Sequence, residues 1–145
     1  MDSDEYGKYP RIELITTDEP LVPASAHKRA QVTGNPVRAP FLNKAASDYT
    51  PHERGQEFRL LVIGGSQGAA IFSEVVPAAL RLLPISIRGQ ISLTQQCRPE
   101  TLDDVQRQCH DAGIRATLSS FFDDLDARLF DAHLVIGRSG ASTIS

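Results

Sequence analysis

The sequence predicts an α/β fold built on a mostly parallel sheet, and three observations carry that expectation. Short apolar runs alternate with stretches of helical period from Phe58 onward. The resulting order is β-α-β-α-β-α-β with short connections, which right-handed crossovers satisfy. Two of the strands run directly into small, glycine-rich turns. At 145 residues the chain has the length of one ordinary domain. Such a length buries about 68–70 % of the unfolded surface, so the core needs no metal or disulfide staple.

Residues 1–31 mix charge, proline and short apolar runs without a clean period. The 12–15 stretch has the composition of a short strand, but Pro10, Pro20 and Pro23 break the segment up. Residues 33–56 carry Gly34, Pro36, Pro40, Pro51 and Gly55 and read as turn and linker. Residues 59–63 (RLLVI) form a continuous apolar run ending in glycines, as expected of a strand buried on both faces. A helix over 69–83 follows, with Phe72, Val75, Val76, Ala79, Leu80 and Leu83 on one stripe. Pro77 inside it predicts a kink or an early turn. Residues 90–95 (QISLTQ) alternate as a strand does. The next helix starts near Pro99, turns Leu102, Val105, Cys109 and Ala112 inward, and stops at Gly113. A weaker strand covers 114–118. Asp123, Asp124 and Asp126 open a short helix carrying Leu125, Leu129 and Phe130, acids being favourable at that end of the dipole. Residues 134–136 make a fourth strand, and 139–143 open another helix.

Composition narrows the function. The chain is 41 % hydrophobic and 23 % charged, with a net charge of −3, so no global field gathers nucleic acid or an anionic membrane. Cys97 and Cys109 lack the spacing and partners of a zinc site, and two cysteines in this length suggest a reducing compartment. The acidic start Met1-Asp2-Ser3-Asp4-Glu5 is unlike a secretory signal, and no apolar run is long enough to span a bilayer. The expectation is a cytoplasmic α/β domain.

In parallel sheets ligands bind outside the carboxyl ends of the strands. Gly64-Gly65-Ser66-Gln67-Gly68-Ala69 and Gly137-Arg138-Ser139-Gly140-Ala141-Ser142-Thr143 both occupy such places. Each offers backbone N–H groups and a helix N-terminus, which together suit a phosphate. The first has neither the GxGxxG spacing nor the GK[ST] ending, and read alone it is equally a tight strand-to-helix turn. The second read alone is an N-cap. Two such loops on one sheet edge favour a diphosphate ligand.

A serine-hydrolase alternative exists, because Gly64-Gly65-Ser66-Gln67-Gly68 also matches GxSxG, with Asp124 and His133 following in order. His133 precedes the fourth strand whereas Ser66 follows the first. That puts them at opposite ends of a parallel sheet, beyond the about 2.6–3.2 Å a base must reach.

Four motifs in order carry a family resemblance. They are Val32-Thr33-Gly34-Asn35-Pro36-Val37-Arg38, Leu61-Val62-Ile63-Gly64-Gly65-Ser66-Gln67-Gly68-Ala69, Phe121-Phe122-Asp123-Asp124-Leu125 and Arg138-Ser139-Gly140-Ala141-Ser142-Thr143. From about Val32 on, the chain resembles the MurG family of UDP-N-acetylglucosamine transferases of peptidoglycan synthesis. The resemblance implies a Rossmann-like parallel sheet with helices on both faces, corresponding to the first half of the donor domain of a GT-B glycosyltransferase. Residues 32–57 correspond to its hinge and linker and 58–145 to the partial UDP-sugar-binding domain; 1–31 stay unassigned, and those before about His27 do not resemble the family. By motif match, Arg38, Ser66 and Gln67 would lie at the diphosphate, and Phe122 at the uracil. Ala141, Ser142 and Thr143 would present a helix N-terminus to phosphates and sugar.

The implied reaction is inverting transfer of N-acetylglucosamine from UDP to lipid I, giving lipid II, with no metal and no other cofactor. In the full-length family an N-terminal domain receives lipid I and associates peripherally with the cytoplasmic face of the inner membrane. That domain and its candidate general base have no counterpart here, nor does the acidic residue that follows the last motif. The expectation is thus a fragment whose sheet leaves an apolar edge and face uncovered. The alternative is a non-catalytic nucleotide-binding or vestigial module. The 145-residue chain alone is expected to form no lipid II from UDP-N-acetylglucosamine and lipid I, and product in a radiolabel transfer assay would contradict this.

Overall fold

The computed structural model describes residues 37, 39–44, 49–65 and 70–138. Four strands make one parallel sheet: β1 (Phe58–Ile63), β2 (Ile91–Gln96), β3 (Arg115–Ser119) and β4 (Leu134–Gly137), in the spatial order β3-β2-β1-β4. The helices are α1 (Ala39–Lys44), α2 (Ala70–Arg81), α3 (Ile85–Arg88), α4 (Leu102–Asp111) and α5 (Leu125–Asp131), with a 3-10 turn at Pro99–Thr101 leading into α4. The expected alternation of strand and helix holds along the described part. The 12–15 strand and the helix opening at 139–143 lie outside the described residues.

Parallel register sets which side chains share a face. Leu60 pairs with Leu93 and with Leu134, and Val62 with Ile136. Strand alternation then puts Leu60, Val62, Ile91 and Leu93 on one face. There they meet Val76 and Leu80 of α2 and Val105, Cys109 and Ala112 of α4 in a single buried cluster. The crossovers through α2 and α4 both run from β1 towards β3. The return from β3 to β4 runs the other way, and right-handedness then sends α5 to the opposite face. It packs against β1, and α1 packs against it. Leu61 on that face is only 1 % exposed. Burial on both faces explains why β1 reads as an unbroken apolar run.

Helix α4 ends as the sequence predicts. Gly113 takes φ +67°, the left-handed conformation that costs glycine nothing. Its N–H donates to the His110 carbonyl at 2.9 Å, and the Ile114 N–H to the Cys109 carbonyl at 2.9 Å, the paired bonds of a Schellman stop.

Four expectations need correction. The stretch 33–56 is not wholly linker, because Ala39–Lys44 is helical with Pro40 in its first turn, where a missing N–H costs no bond. The Ile85–Arg88 turn is helical without having been expected. The buried face of α2 is Ser73, Val76, Pro77 and Leu80, while Val75 is 48 % exposed and Ala79 is exposed. The apolar stripe counted from Val75 and Ala79 is therefore rotated by one step, because small polar and ring side chains fit against the sheet. The expected uncovered face is also only partly apolar. Edge strand β4 exposes Leu134 and Val135, whereas β2 and β3 present Ser92, Thr94, Arg115 and Thr117 on the side away from α2 and α4.

The corrected helix face is testable by equilibrium urea unfolding. Val76→Ala removes two buried methyl groups and is expected to cost about 2 kcal/mol, whereas Val75→Ala stays within about 0.5 kcal/mol of the parent. Equal losses at both positions would contradict this packing.

Candidate functional site

The strand order reverses at β1. One neighbour, β2, follows it through a helix on one face, and the other, β4, arrives through a helix on the opposite face. In open parallel sheets the carboxyl edge at such a reversal is where ligands bind. Ile63 is paired with Gly137, so both small-residue turns begin side by side on one edge. Gly64 is buried, and Gly65 takes φ +78°, which bends the chain out of the strand in a conformation other residues rarely adopt. A Cβ on Gly137 would lie 3.4 Å from the Ile63 carbonyl oxygen, in ordinary van der Waals contact, so the two strand ends run close together. Beyond the first turn α2 begins at Ala70 with no acidic residue in its opening turn. Its positive dipole end thus meets no carboxylate from the helix's own first turn. Arg138 follows β4, exposed at the same edge.

Of the residues that the resemblance assigns to the ligand, Phe122 alone lies in the described part. Arg38, Ser66, Gln67, Ala141, Ser142 and Thr143 lie outside it. Phe122 is half-buried in the turn after β3, on the same carboxyl edge as the two small-residue turns. The Arg128 guanidinium lies 4.5 Å from its ring centroid and donates from Nε to Asp124 Oδ1 at 2.7 Å. That bond holds the Asp124 carboxyl below the usual carboxylate range. Ser119 Oγ donates to the Phe121 carbonyl at 2.6 Å and closes the turn. Phe121 itself is 71 % exposed, so it is not core.

Gln96 donates to the Ser120 carbonyl at 3.1 Å, and Arg98 lies 3.9 Å from Glu100. Gln95 is different. Its side chain is 0 % exposed beneath α2, donating from Nε2 to the Phe72 carbonyl at 3.1 Å. The signal was present in the alternation of β2, which sets Gln95 on the same face as Ile91 and Leu93.

The hydrolase alternative fails on geometry. His133 is fastened at the amino edge: its N–H donates to the Arg59 carbonyl at 2.9 Å, and its Nδ1 accepts the Arg59 N–H at 2.9 Å. From Arg59 to Gly64 the strand rises roughly 16 Å. Asp124 is occupied by Arg128. The cysteines are buried thiols. Burial, reinforced by Cys97, pushes Cys109 up to about 11, and burial also raises Cys97, so neither has the thiolate character of a nucleophile. Among the described residues no His, Cys, Asp and Glu gather in a group that could hold a metal ion, and no helix is long and apolar enough to cross a membrane.

Comparisons with known proteins agree with this architecture. The model of the glycosyltransferase family 28 C-terminal domain matches residues 59–145. The chain is 50 % identical over 114 residues to proteins of Chelativorans sp. (strain BNC1) and of Brucella abortus (strain S19). Both are named UDP-N-acetylglucosamine–N-acetylmuramyl-(pentapeptide) pyrophosphoryl-undecaprenol N-acetylglucosamine transferase. These alignments take in 79 % of this chain and 30 % of each relative, so the chain spans about a third of the length of the curated relatives it matches. The crystal structure of Acinetobacter baumannii MurG shares the fold, with a TM-score of 0.57 at 23 % identity over 92 % of this chain and 34 % of that one.

The amino-edge histidine makes the fold sensitive to acid. Burial lowers the pKa of His133, with the nearby charges of Arg59 and His52 adding to the effect and Asp131 and Glu57 opposing it. Its folded value thus lies below the unfolded value of about 6.5. The stability it contributes is complete above about pH 6.5 and is lost as pH falls towards the lower folded value. Urea midpoints at pH 7.5 and 5.5 should show that His133→Gln loses less on acidification than the parent; an equal loss would contradict this.

Proposed function

From the premise that the chain belongs to the glycosyltransferase family 28 C-terminal domain family, we propose that it binds the donor UDP-N-acetylglucosamine. The reaction it would serve is inverting transfer of N-acetylglucosamine to lipid I, which gives lipid II in peptidoglycan synthesis. The observation that carries this reading is the pairing of Ile63 with Gly137, which starts the two glycine-rich segments side by side at one switch point of the sheet. A diphosphate seated there would meet N–H groups from both turns, the positive end of α2 and the Arg138 side chain.

In this reading Arg38, Ser66 and Gln67 lie at the diphosphate region, and the backbone of Phe122 meets the uracil. Ala141, Ser142 and Thr143 present a second helix N-terminus to the phosphates and sugar. The turn after β3 stands two strand spacings from β1, roughly 10 Å, which leaves room for a ribose between base and diphosphate. Negative charge grows on the departing UDP as the glycosidic bond breaks. Preset amides and dipoles aimed at that diphosphate therefore stabilise the transition state more than the ground state. The partners of the complete reaction are the UDP-sugar and a lipid I acceptor held by an N-terminal domain of the family type, at the cytoplasmic face of the inner membrane.

Calorimetric titration of the 145-residue chain tests the proposal. UDP is expected to bind with one site, and Arg38→Ala to weaken it about tenfold, as removal of one charge-assisted phosphate contact does. A chain that binds no UDP, or binds it equally well without Arg38, would contradict the donor-site reading and leave a vestigial module.

A further inference from the structure

We infer that Gln95 is a positioning residue, which fixes from beneath α2 the orientation of the helix turn facing the donor diphosphate. The inference rests on the donor-binding reading above. Pro77 is the reason such a residue is needed. An α-helix ties its first turn to its second through N–H groups that donate four residues back. Pro77 has no N–H, so the Ser73 carbonyl receives no such bond, and the pyrrolidine ring crowds that same carbonyl. The opening turn of α2 is therefore joined to the rest of its helix by a weakened ladder.

Two side-chain bridges reach that turn from elsewhere in the fold. Gln95 Nε2 donates to the Phe72 carbonyl at 3.1 Å. One residue on, Ser73 Oγ lies 3.1 Å from Thr101 Oγ1, and the Thr101 hydroxyl donates to the Arg98 carbonyl at 3.0 Å, so Ser73 is the donor of that pair. Both bridges start from the carboxyl end of β2 and the 3-10 turn that follows it. The opening turn of α2 is thus referenced to the sheet edge, where the ligand would sit, more than to its own helix.

Burial sharpens the assignment. Gln95 is 0 % exposed, shares its sheet face with Ile91 and Leu93, and among the described residues its Oε1 has no oxygen or nitrogen donor, only the weakly donating Cys97 thiol beside the side chain. A buried amide with so weakly matched an acceptor is less favourable there than an apolar side chain of similar size. The Phe72 carbonyl also faces the Val76 N–H of its own helix, so the Gln95 bond is not needed to satisfy it. What the glutamine adds is direction. A displacement of about 1 Å in groups that hold a reacting ligand is enough to lower activity about a hundredfold.

Gln95→Leu in the 145-residue chain separates positioning from stability. The urea midpoint is expected to stay level or rise, while UDP affinity measured by calorimetry falls about tenfold. In the ligand-free protein, hydrogen exchange is expected to quicken at amides 74–76, which donate to the carbonyls of the opening turn, with α4 unchanged. Thr101→Val, which cuts the second bridge, should move the same two readouts in the same direction. Affinity and stability falling together would reduce Gln95 to a core residue and overturn the inference, as would UDP affinity equal to the parent's. If the parent itself binds no UDP, the donor reading fails separately, and unchanged exchange at 74–76 then overturns the positioning role. Should Gln95→Leu not fold, Gln95→Met removes the same donor with a more adaptable side chain and carries the same comparison.

Discussion

Addition of β4 to the free side of β1, with Ile63 opposite Gly137, is the contact from which the candidate site follows. Had β4 joined the sheet beyond β3, the turn after it would lie three strands from the turn after β1, and no small ligand could touch both. The pairing is possible because the return crossover passes through α5 on the face that α2 and α4 leave free. Leu61 pays no penalty for that arrangement, since both of its sheet faces are covered once α5 is in place. The chemistry of the edge is thus a consequence of how one short helix crosses back.

The two edges of the sheet differ in kind. At the amino edge the polar groups answer one another: Arg59 and His133 exchange backbone and ring bonds, Arg59 Nε donates to the Asp131 carbonyl at 2.6 Å, and Tyr49 donates to the His133 carbonyl at 3.2 Å. His52, Phe58 and His133 stack their rings at 5.2–5.6 Å in the same place. At the carboxyl edge of β1 and β4 the residues are glycines, with small side chains following them in the chain. A closed polar network suits the end that holds the sheet to what precedes it, and glycines at the other end suit the anion site proposed there.

Much of this was legible in the sequence, for physical reasons that differ by element. Helix α4 announced both of its ends, because Pro99 is tolerated at a first turn and Gly113 alone accepts the left-handed stop. Strand β1 was legible as doubly buried because it has no polar alternation. Helix α2 was legible in extent but not in orientation. Counting apolar residues favoured Val75 and Ala79, whereas the sheet received Ser73 and Pro77, a choice made by shape that no periodicity reports. The short helices α1 and α3 fall below the length at which a period exists. At the site, the glycine turns were visible as motifs, and the resemblance to a transferase family supplied the ligand proposed for them. The alternation of β2 set Gln95 on the buried face, but its bond to the Phe72 carbonyl had no signal in the sequence.

The central claim is that the turns leaving β1 and β4 serve one pyrophosphate together. Amide chemical-shift mapping of the isotope-labelled chain during titration with UDP examines it most directly. The account predicts that resonances of Gly64, Gly65 and Ala70 and those of Gly137 and Arg138 shift along one binding curve, with a single dissociation constant. Shifts confined to one of the two turns, or curves with unrelated midpoints, would contradict it.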